Sequence, residues 1–327
     1  MTLIATRTAP SPALLPAAGP EPVIETIGLT KRFGPKLALN QLTLAVPRGG
    51  IHAVVGSNGA GKSTLFRLLL GVATPSLGQC RVLGVDSGRL DPATRGRIGL
   101  VTEEHTLPGW MTVARLAAMQ RSLYPSWSEA TFREVAGHFH LHSGQKVSQL
   151  SRGERAGFTV ALALAQGPEL LILDEPTLGL DVVAKQAVLE SLLFAGRRED
   201  RTLLYCSHQM DEIERLADGL IVLERGELVS HSTPESFWGR IGCWVVAGLV
   251  PPEVVVEAIP GLLQRRVVDG REQLVVLDPD PDFGRCLERL GVPGATPLPI
   301  GFDRAVNAFL TRNHLSPDGA VAAPRSH

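Results

Sequence analysis

The chain has 327 residues, 44% hydrophobic content, 20% charged residues and a formal net charge of −1. That length allows one large core or two unequal ones, and the balanced charge excludes a protein held to nucleic acid by bulk positive charge. Basic residues are scattered, and no apolar segment reaches the roughly 18 to 20 residues of a membrane-spanning helix, since Val160 to Leu173 is broken by Gln166, Gly167, Pro168 and Glu169.

Residues 1–22 are rich in alanine and proline and contain no apolar core before a cleavage site, so they read as a disordered leader rather than a signal peptide. Cys80, Cys206, Cys243 and Cys286 stand far apart without a Cys-x-x-Cys pair, which points to reduced, buried thiols in a cytosol. From Val23 to Val46 apolar and polar residues alternate with the period of half-buried strands, an antiparallel edge expected beside the next strand. Phe33 falls in the connecting turn Lys31 to Pro35, where an aromatic ring has two uses, stacking on a base or packing in the core.

The chemistry begins after the apolar run Ala53-Val54-Val55. Gly56-Ser57-Asn58-Gly59-Ala60-Gly61-Lys62-Ser63-Thr64 has the spacing of a phosphate-binding loop and runs into a helix-like stretch, Leu65 to Leu70. Glycines let successive N–H groups face one anion, and the helix N-terminus adds its positive dipole end. Lys62 then reaches the β- and γ-phosphates, Ser63 ligates Mg²⁺ and Thr64 sits near the α-phosphate.

Turns and a short strand are expected from Gly71 to Gly88, another strand at Ile98-Gly99-Leu100-Val101, and a helical insert from about Thr112 to Ala165. Within it Ser126 and Glu129 have the spacing of a capping box, followed by Phe132, Val135, Ala136 and Phe139 on one helical face. His138, His140 and His142 are spaced by two, which distributes them around a helix and argues against a shared metal. Leu170 to Leu173 is the continuous apolar run of a parallel strand covered on both faces, ending in Asp174-Glu175-Pro176. Carboxylates at such a strand end sit where open α/β sheets bind ligands: Asp174 is placed to hold Mg²⁺ and Glu175 to polarise the water attacking a γ-phosphate. Thr202 to Cys206 is a further strand, and His208 just beyond it approaches from the same side as Glu175. A hairpin turning at Arg225-Gly226 follows.

Together these residues resemble the nucleotide-binding subunit of an ATP-binding cassette (ABC) transporter over about Val23 to Ser236. Leu150-Ser151-Arg152-Gly153-Glu154 is similar to that family's signature, which implies that Ser151 and the Gly153 amide meet the γ-phosphate bound by a second subunit. The resemblance further implies that Phe33 stacks on adenine, that Leu180-Asp181 couples two sites across a dimer, and that His208 senses the γ-phosphate. It implies a fold of the α/β class: a P-loop NTPase core made of a mixed sheet with antiparallel edge strands and a helical insert at about 104–165, with a small C-terminal α/β extension over 237–315 and a tail from 316 to 327. ATP and Mg²⁺ are the implied ligands, and the implied partners are a second ATPase subunit, identical in a homodimer, and a separately encoded polytopic permease, with no nucleic acid. Such a subunit is cytoplasmic and peripheral to the inner face of the membrane.

Two positions depart from the family pattern. Arg152 and Glu154 replace a glycine and a glutamine of the common signature, and Arg152 is expected either to point to solvent or to add charge near the nucleotide. Glu103 stands where a Mg²⁺-binding glutamine is usual. A carboxylate about 4 Å from a phosphate charge costs roughly 4 kcal/mol at an effective dielectric of 20, so Glu103 is expected either to ligate the metal, which is the working hypothesis, or to stay displaced until the transporter closes. The segment His105 to Val113 resembles the surface that receives the permease, where an exposed Trp110 would suit such a groove, the alternative being that its ring packs in the core. Past Ser236, Leu263 to Val268 and Glu272 to Leu277 flank a two-residue turn at Asp269-Gly270, and helices are expected over about Asp282 to Leu290 and Asp303 to Thr311. Extensions of this kind occur in subunits of drug and antibiotic exporters. The rival readings are an ABC ATPase acting on ribosomes or nucleic acid, and a regulatory subunit that binds nucleotide without hydrolysing it.

Overall fold

The computed structural model describes residues 21–196, 200–246, 259–292 and 294–312. Most of the expected leader and the whole of the expected tail lie outside them. The centre is a six-stranded sheet in the order β10 (Glu227–Ser232), β9 (Gly219–Glu224), β3 (Ile51–Val55), β8 (Thr202–Cys206), β7 (Leu170–Asp174), β6 (Ile98–Val101). The strands from β9 to β6 are parallel, and β10 closes one edge antiparallel to β9 through the turn at Arg225 and Gly226, which take φ of 50° and 84°. All residues of β3 and β8 are buried, as the continuous apolar runs require for strands covered on both faces.

Alternate residues feed two cores. Val54, Ile172, Leu204 and Cys206 pack with α1 (Lys62–Leu69) and with a second, four-stranded antiparallel sheet. That sheet has the order β2 (Lys36–Val46), β1 (Ile24–Phe33), β4 (Leu77–Val82), β5 (Val85–Asp86). The strands expected beside β3 thus pair with each other, because both edges of β3 are already taken by β8 and β9. Ala53, Val55, Leu173, Leu203 and Tyr205 face the opposite core with α5 (Arg152–Ala165), α6 (Val182–Gly196) and α7 (Met210–Leu216).

A short α2 (Pro92–Gly96) precedes β6, and α3 (Val113–Leu123), α4 (Glu129–Gly137) and α5 stand between β6 and β7. Helix α4 is capped by Ser128, whose hydroxyl accepts from the Thr131 amide, and not by Ser126. Glu129 is occupied instead by the Trp127 indole N–H at 3.1 Å and by Arg133. His138, His140 and His142 are exposed, and no metal-binding cluster occurs among the described residues. Cys80, Cys206 and Cys243 are buried, whereas Cys286 is only partly so.

After α8 (Pro234–Trp238) comes a third sheet in the order β12 (Leu262–Val268), β13 (Arg271–Leu277), β11 (Ile241–Val246), β14 (Thr296–Leu298), with α9 (Phe283–Arg289) on one face. On the other face α10 (Phe302–Thr311) inserts Phe302, Ala305, Val306 and Phe309 into the same core as Ile213 and Leu216 of α7. This unit is thereby joined to the central sheet by apolar packing, and Arg312 ties it to Glu224 at the end of β9.

Candidate functional site

The loop after β3 is forced into shape by its glycines. Gly59 and Gly61 take φ of 83° and 105°, and a Cβ on Gly61 would lie 2.7 Å from the Ala38 carbonyl. Lys62, only 8% exposed, donates from Nζ to the carbonyls of Gly56 at 2.6 Å and Ser57 at 3.2 Å, so its ammonium lies along the loop. Ala60 donates its amide to Ser57 and accepts from Gly226, which braces the loop against the β9–β10 turn. Ser63 is exposed on the first turn of α1.

Asp174 and Glu175 leave the end of β7 beside this loop. A cleft of about 600 Å³ is lined by Asn58 to Thr64, by Glu103 and Glu104, by Asp174 and Glu175, and by His208. Burial raises the Asp174 carboxyl above its ordinary value, and the charges of Glu103 and Glu104 push the same way, opposed by Lys62. Glu175 is pushed up to about 7, chiefly by burial and partly by Asp174. Its backbone takes a left-handed φ of 51°, uncommon for a residue other than glycine. The carboxylate lies 3.3 Å from His208 Nε2 and accepts the His208 amide at 3.3 Å, and the Cys206 thiol lies 3.8 Å away. Burial, and then Lys62, lower the His208 imidazole below its ordinary value, which keeps it neutral at pH 7.

The cleft thus gathers most residues expected from the sequence. Phe33 is the last residue of β1 rather than part of the turn; it is 46% exposed, with the Lys31 ammonium 5.0 Å from its ring, and lies outside the cleft lining, where Lys36 and Ala38 form the wall. Ser151 and Gly153 also lie outside, at the start of α5. Ser151 caps that helix, accepting from the Glu154 amide at 3.2 Å while the Glu154 carboxylate accepts the Ser151 amide at 2.7 Å. Glu154 therefore completes a capping box, which its spacing from Ser151 already spells. Arg152 neither points free to solvent nor enters the cleft: its Nη2 donates to the Leu178 carbonyl at 2.6 Å. Trp110 is 70% exposed on the surface leading to α3.

Sequence reasoning missed the support beneath the site. Glu212 of α7 is fully buried and accepts from Thr177 at 2.8 Å, Ser207 at 2.8 Å and the Tyr205 hydroxyl, with Lys185 Nζ at 3.1 Å. The available signal was Tyr205, a phenol in a fully buried strand that needs a polar partner.

The comparisons with known proteins agree with this arrangement. Residues 39–178 match the family described as ABC transporter. The chain is 33% identical over 292 residues to the Nod factor export ATP-binding protein I of Rhizobium johnstonii, covering 85% of this chain and 89% of that protein. It is 37% identical over 241 residues to the protein of the same name from Rhizobium meliloti, covering 71% of each. Among solved structures, an ATP-binding subunit of an ABC transporter superposes with a TM-score of 0.60 at 25% identity, over 66% of this chain and 91% of that one. A dimeric ATP-binding cassette in a post-hydrolysis state with ADP and phosphate has the same fold, with a TM-score of 0.56 at 22% identity over 64% of this chain and 98% of that one. With its phosphate loop, strand-end carboxylates and histidine converging on one cleft, the chain belongs to the ABC transporter family, as an ATP-binding ATPase subunit.

Proposed function

We propose that this chain hydrolyses ATP as half of a pair of identical subunits, each clamping Mg-ATP between its own phosphate loop and the partner's signature, and drives a separately encoded permease that exports its substrate. The observation that carries the reading is the convergence of Asn58 to Thr64, Asp174, Glu175 and His208 on one cleft, with Ser151 and Gly153 of the same chain held outside it. A surface loop that presents a helix N-terminus outside its own cleft suits a site completed by a second copy. Export is favoured because the matched relatives are named for export and align beyond the central sheet into the C-terminal unit. Among the described residues no helix is long and apolar enough to cross a membrane, and in this reading the membrane is spanned by the permease, with this subunit peripheral on its cytoplasmic face.

In this reading the loop amides and Lys62 bind the β- and γ-phosphates, and Phe33, half-exposed at the end of β1, stacks on adenine. Thr64 lies near the α-phosphate. The donor set of Ser63, Asp174 and Glu103 is all hard oxygen, and the burial that raises Asp174, with a smaller push from the charges of Glu103 and Glu104, is a cost that a divalent cation offsets, so these residues fit Mg²⁺. When bound, that ion offsets the negative charge of the phosphates. Glu175, with its carboxyl pushed up to about 7, takes the proton of the attacking water in its ionised form, and His208 orients it and contacts the γ-phosphate.

The test is the Glu175→Gln variant, expected to retain ATP binding and to lose phosphate release. Persistent hydrolysis would sink the assignment of the base. Adding Lys62→Ala chain to the unaltered chain should depress activity more than in proportion if the pair is identical; a proportional loss would point to a different second subunit.

A further inference from the structure

The three residues after Glu175 are gripped by side chains from three separate parts of the chain. His105 is 2% exposed, and its Nε2 lies 3.1 Å from the Pro176 carbonyl. Because a carbonyl only accepts, Nε2 carries the proton. Nδ1 of the same ring is buried without a partner among the described residues, so within them Pro176 is the one hydrogen-bond anchor of the imidazole. Thr177 Oγ1 donates into the Glu212 carboxylate, whose oxygens lie 2.8 and 3.0 Å away. Arg152 Nη2 donates to the Leu178 carbonyl at 2.6 Å, and Gly179, at φ +70°, lies so close that a Cβ there would fall 2.6 Å from the guanidinium.

Each gripping residue is linked to the proposed ATP site along the chain or through one hydrogen bond. His105 is next to Glu104 in the loop that carries Glu103, Arg152 follows Ser151, and Glu212 also holds Ser207, the neighbour of His208. Glu175 sits at the root of the gripped segment in a left-handed conformation that costs about 1 kcal/mol or more. Its amide donates to Cys206 at 3.0 Å and its carbonyl accepts from Leu178 at 3.2 Å. The direction of its carboxylate therefore depends on where Pro176 to Leu178 are held.

We propose that Pro176 to Leu178 form the mechanical junction of the half-site, and that His105 and Arg152 are positioning residues which set Glu175 from the Glu103 loop and from the signature helix. The proposal rests on the hydrolytic reading above. It gives Arg152 a role unavailable to the glycine of the common signature: a direct tie from the helix offered to the partner subunit back to the chain's own catalytic strand. His105 supplies the matching tie from the surface that carries Trp110.

The experiment uses the full chain with His105→Ala, His105→Gln, Arg152→Ala, Arg152→Lys and the double alanine variant. It measures kcat and KM for ATP hydrolysis, binding of a fluorescent ATP analogue, and the unfolding midpoint. A misplacement of the order of 1 Å at a reacting group costs up to about a hundredfold, so a loss of about tenfold in kcat is expected for each alanine variant, with KM and analogue affinity within about twofold. Glutamine and lysine retain a donor of similar reach and should recover most of the loss. The double variant should be little slower than the slower single one, because both ties act on one segment. Unchanged kcat, multiplicative losses, a loss carried by KM, or a loss that the conservative variants do not recover would each overturn the proposal. Arg152 is exposed, so its variants carry the test should His105→Ala not fold. Hydrolysis persisting in Glu175→Gln would instead defeat the underlying reading, whatever the tie variants do.

Discussion

Glu175→Gln should make the isolated chain more stable at alkaline pH even as it removes the proposed base. The folded protein holds this carboxyl at about 7 against an ordinary 4.5, so it binds its proton more tightly folded than unfolded. The neutral carboxyl's contribution is fully present below the unfolded value and is lost as pH rises through about 7. Glutamine is neutral throughout and escapes that loss. At 1.36 kcal/mol per tenfold change in proton activity the full difference is about 3 kcal/mol. The side chain borders an open cleft shared with Lys62, where solvent screens part of the cost, so about 1 to 2 kcal/mol is expected. Urea unfolding at pH 8 should place the variant above the unaltered chain by that amount, and the gap should shrink towards zero near pH 5. A variant that is less stable at pH 8, or equally stabilised at both pH values, would refute the view that burial of an ionised Glu175 is a cost built into the site.

Other consequences follow from the same geometry. Gly59→Ala, at φ +83° in open space, should cost about 1 kcal/mol, whereas Gly61→Ala meets the Ala38 carbonyl and Leu39 and should cost about 3 kcal/mol; similar urea midpoints for the two would contradict the packing argument. Glu212→Ala leaves Lys185, Tyr205, Thr177 and Ser207 without their shared acceptor in a buried site and should destabilise by about 3 to 5 kcal/mol in the same assay. Lys62→Ala should weaken binding of a fluorescent ATP analogue at least about tenfold, since it removes a charge-assisted bond to phosphate. Glu103→Ala should shift the Mg²⁺ concentration that half-activates hydrolysis; an unchanged Mg²⁺ titration would remove Glu103 from the metal site.

The sequence made the site legible where local chemistry is strict. Glycines followed by Lys62 and Ser63 admit few other uses, and an apolar strand ending in two acids must deliver them to the sheet's edge. What it hid depends on competition between neighbours. Ser126 and Ser128 both precede a helix, and the capping position went to Ser128, which leaves Glu129 as the first residue of the helix with its carboxylate taken by the Trp127 indole. The strands β1 and β2 alternate as edge strands do, but alternation does not say which strand they join; both edges of β3 were taken. Arg152 read as a solvent-facing charge or as one near the nucleotide because its acceptor, the Leu178 carbonyl, is far away in sequence and carries no side-chain signature.

The site concentrates several costs at one strand end: a left-handed Glu175, a desolvated Asp174, and further carboxylates on Glu103 and Glu104 beside them. Such a grouping persists only where the surroundings over-determine it. Strand β7 supplies that on one side, since Leu170 to Leu173 are fully buried, and its parallel pairing with β8 carries the register to Asp174 opposite Cys206. On the other side the chain leaves the sheet, and Pro176 to Leu178 are fixed by side-chain ties from His105, Glu212 and Arg152. A close-packed strand buried on both faces resists displacement, whereas a single hydrogen bond contributes only about 1 kcal/mol net. Movement between the cleft and the exposed surface near Trp110, or between the cleft and the start of α5 at Ser151, is therefore cheapest through the ties, with the sheet as the fixed frame.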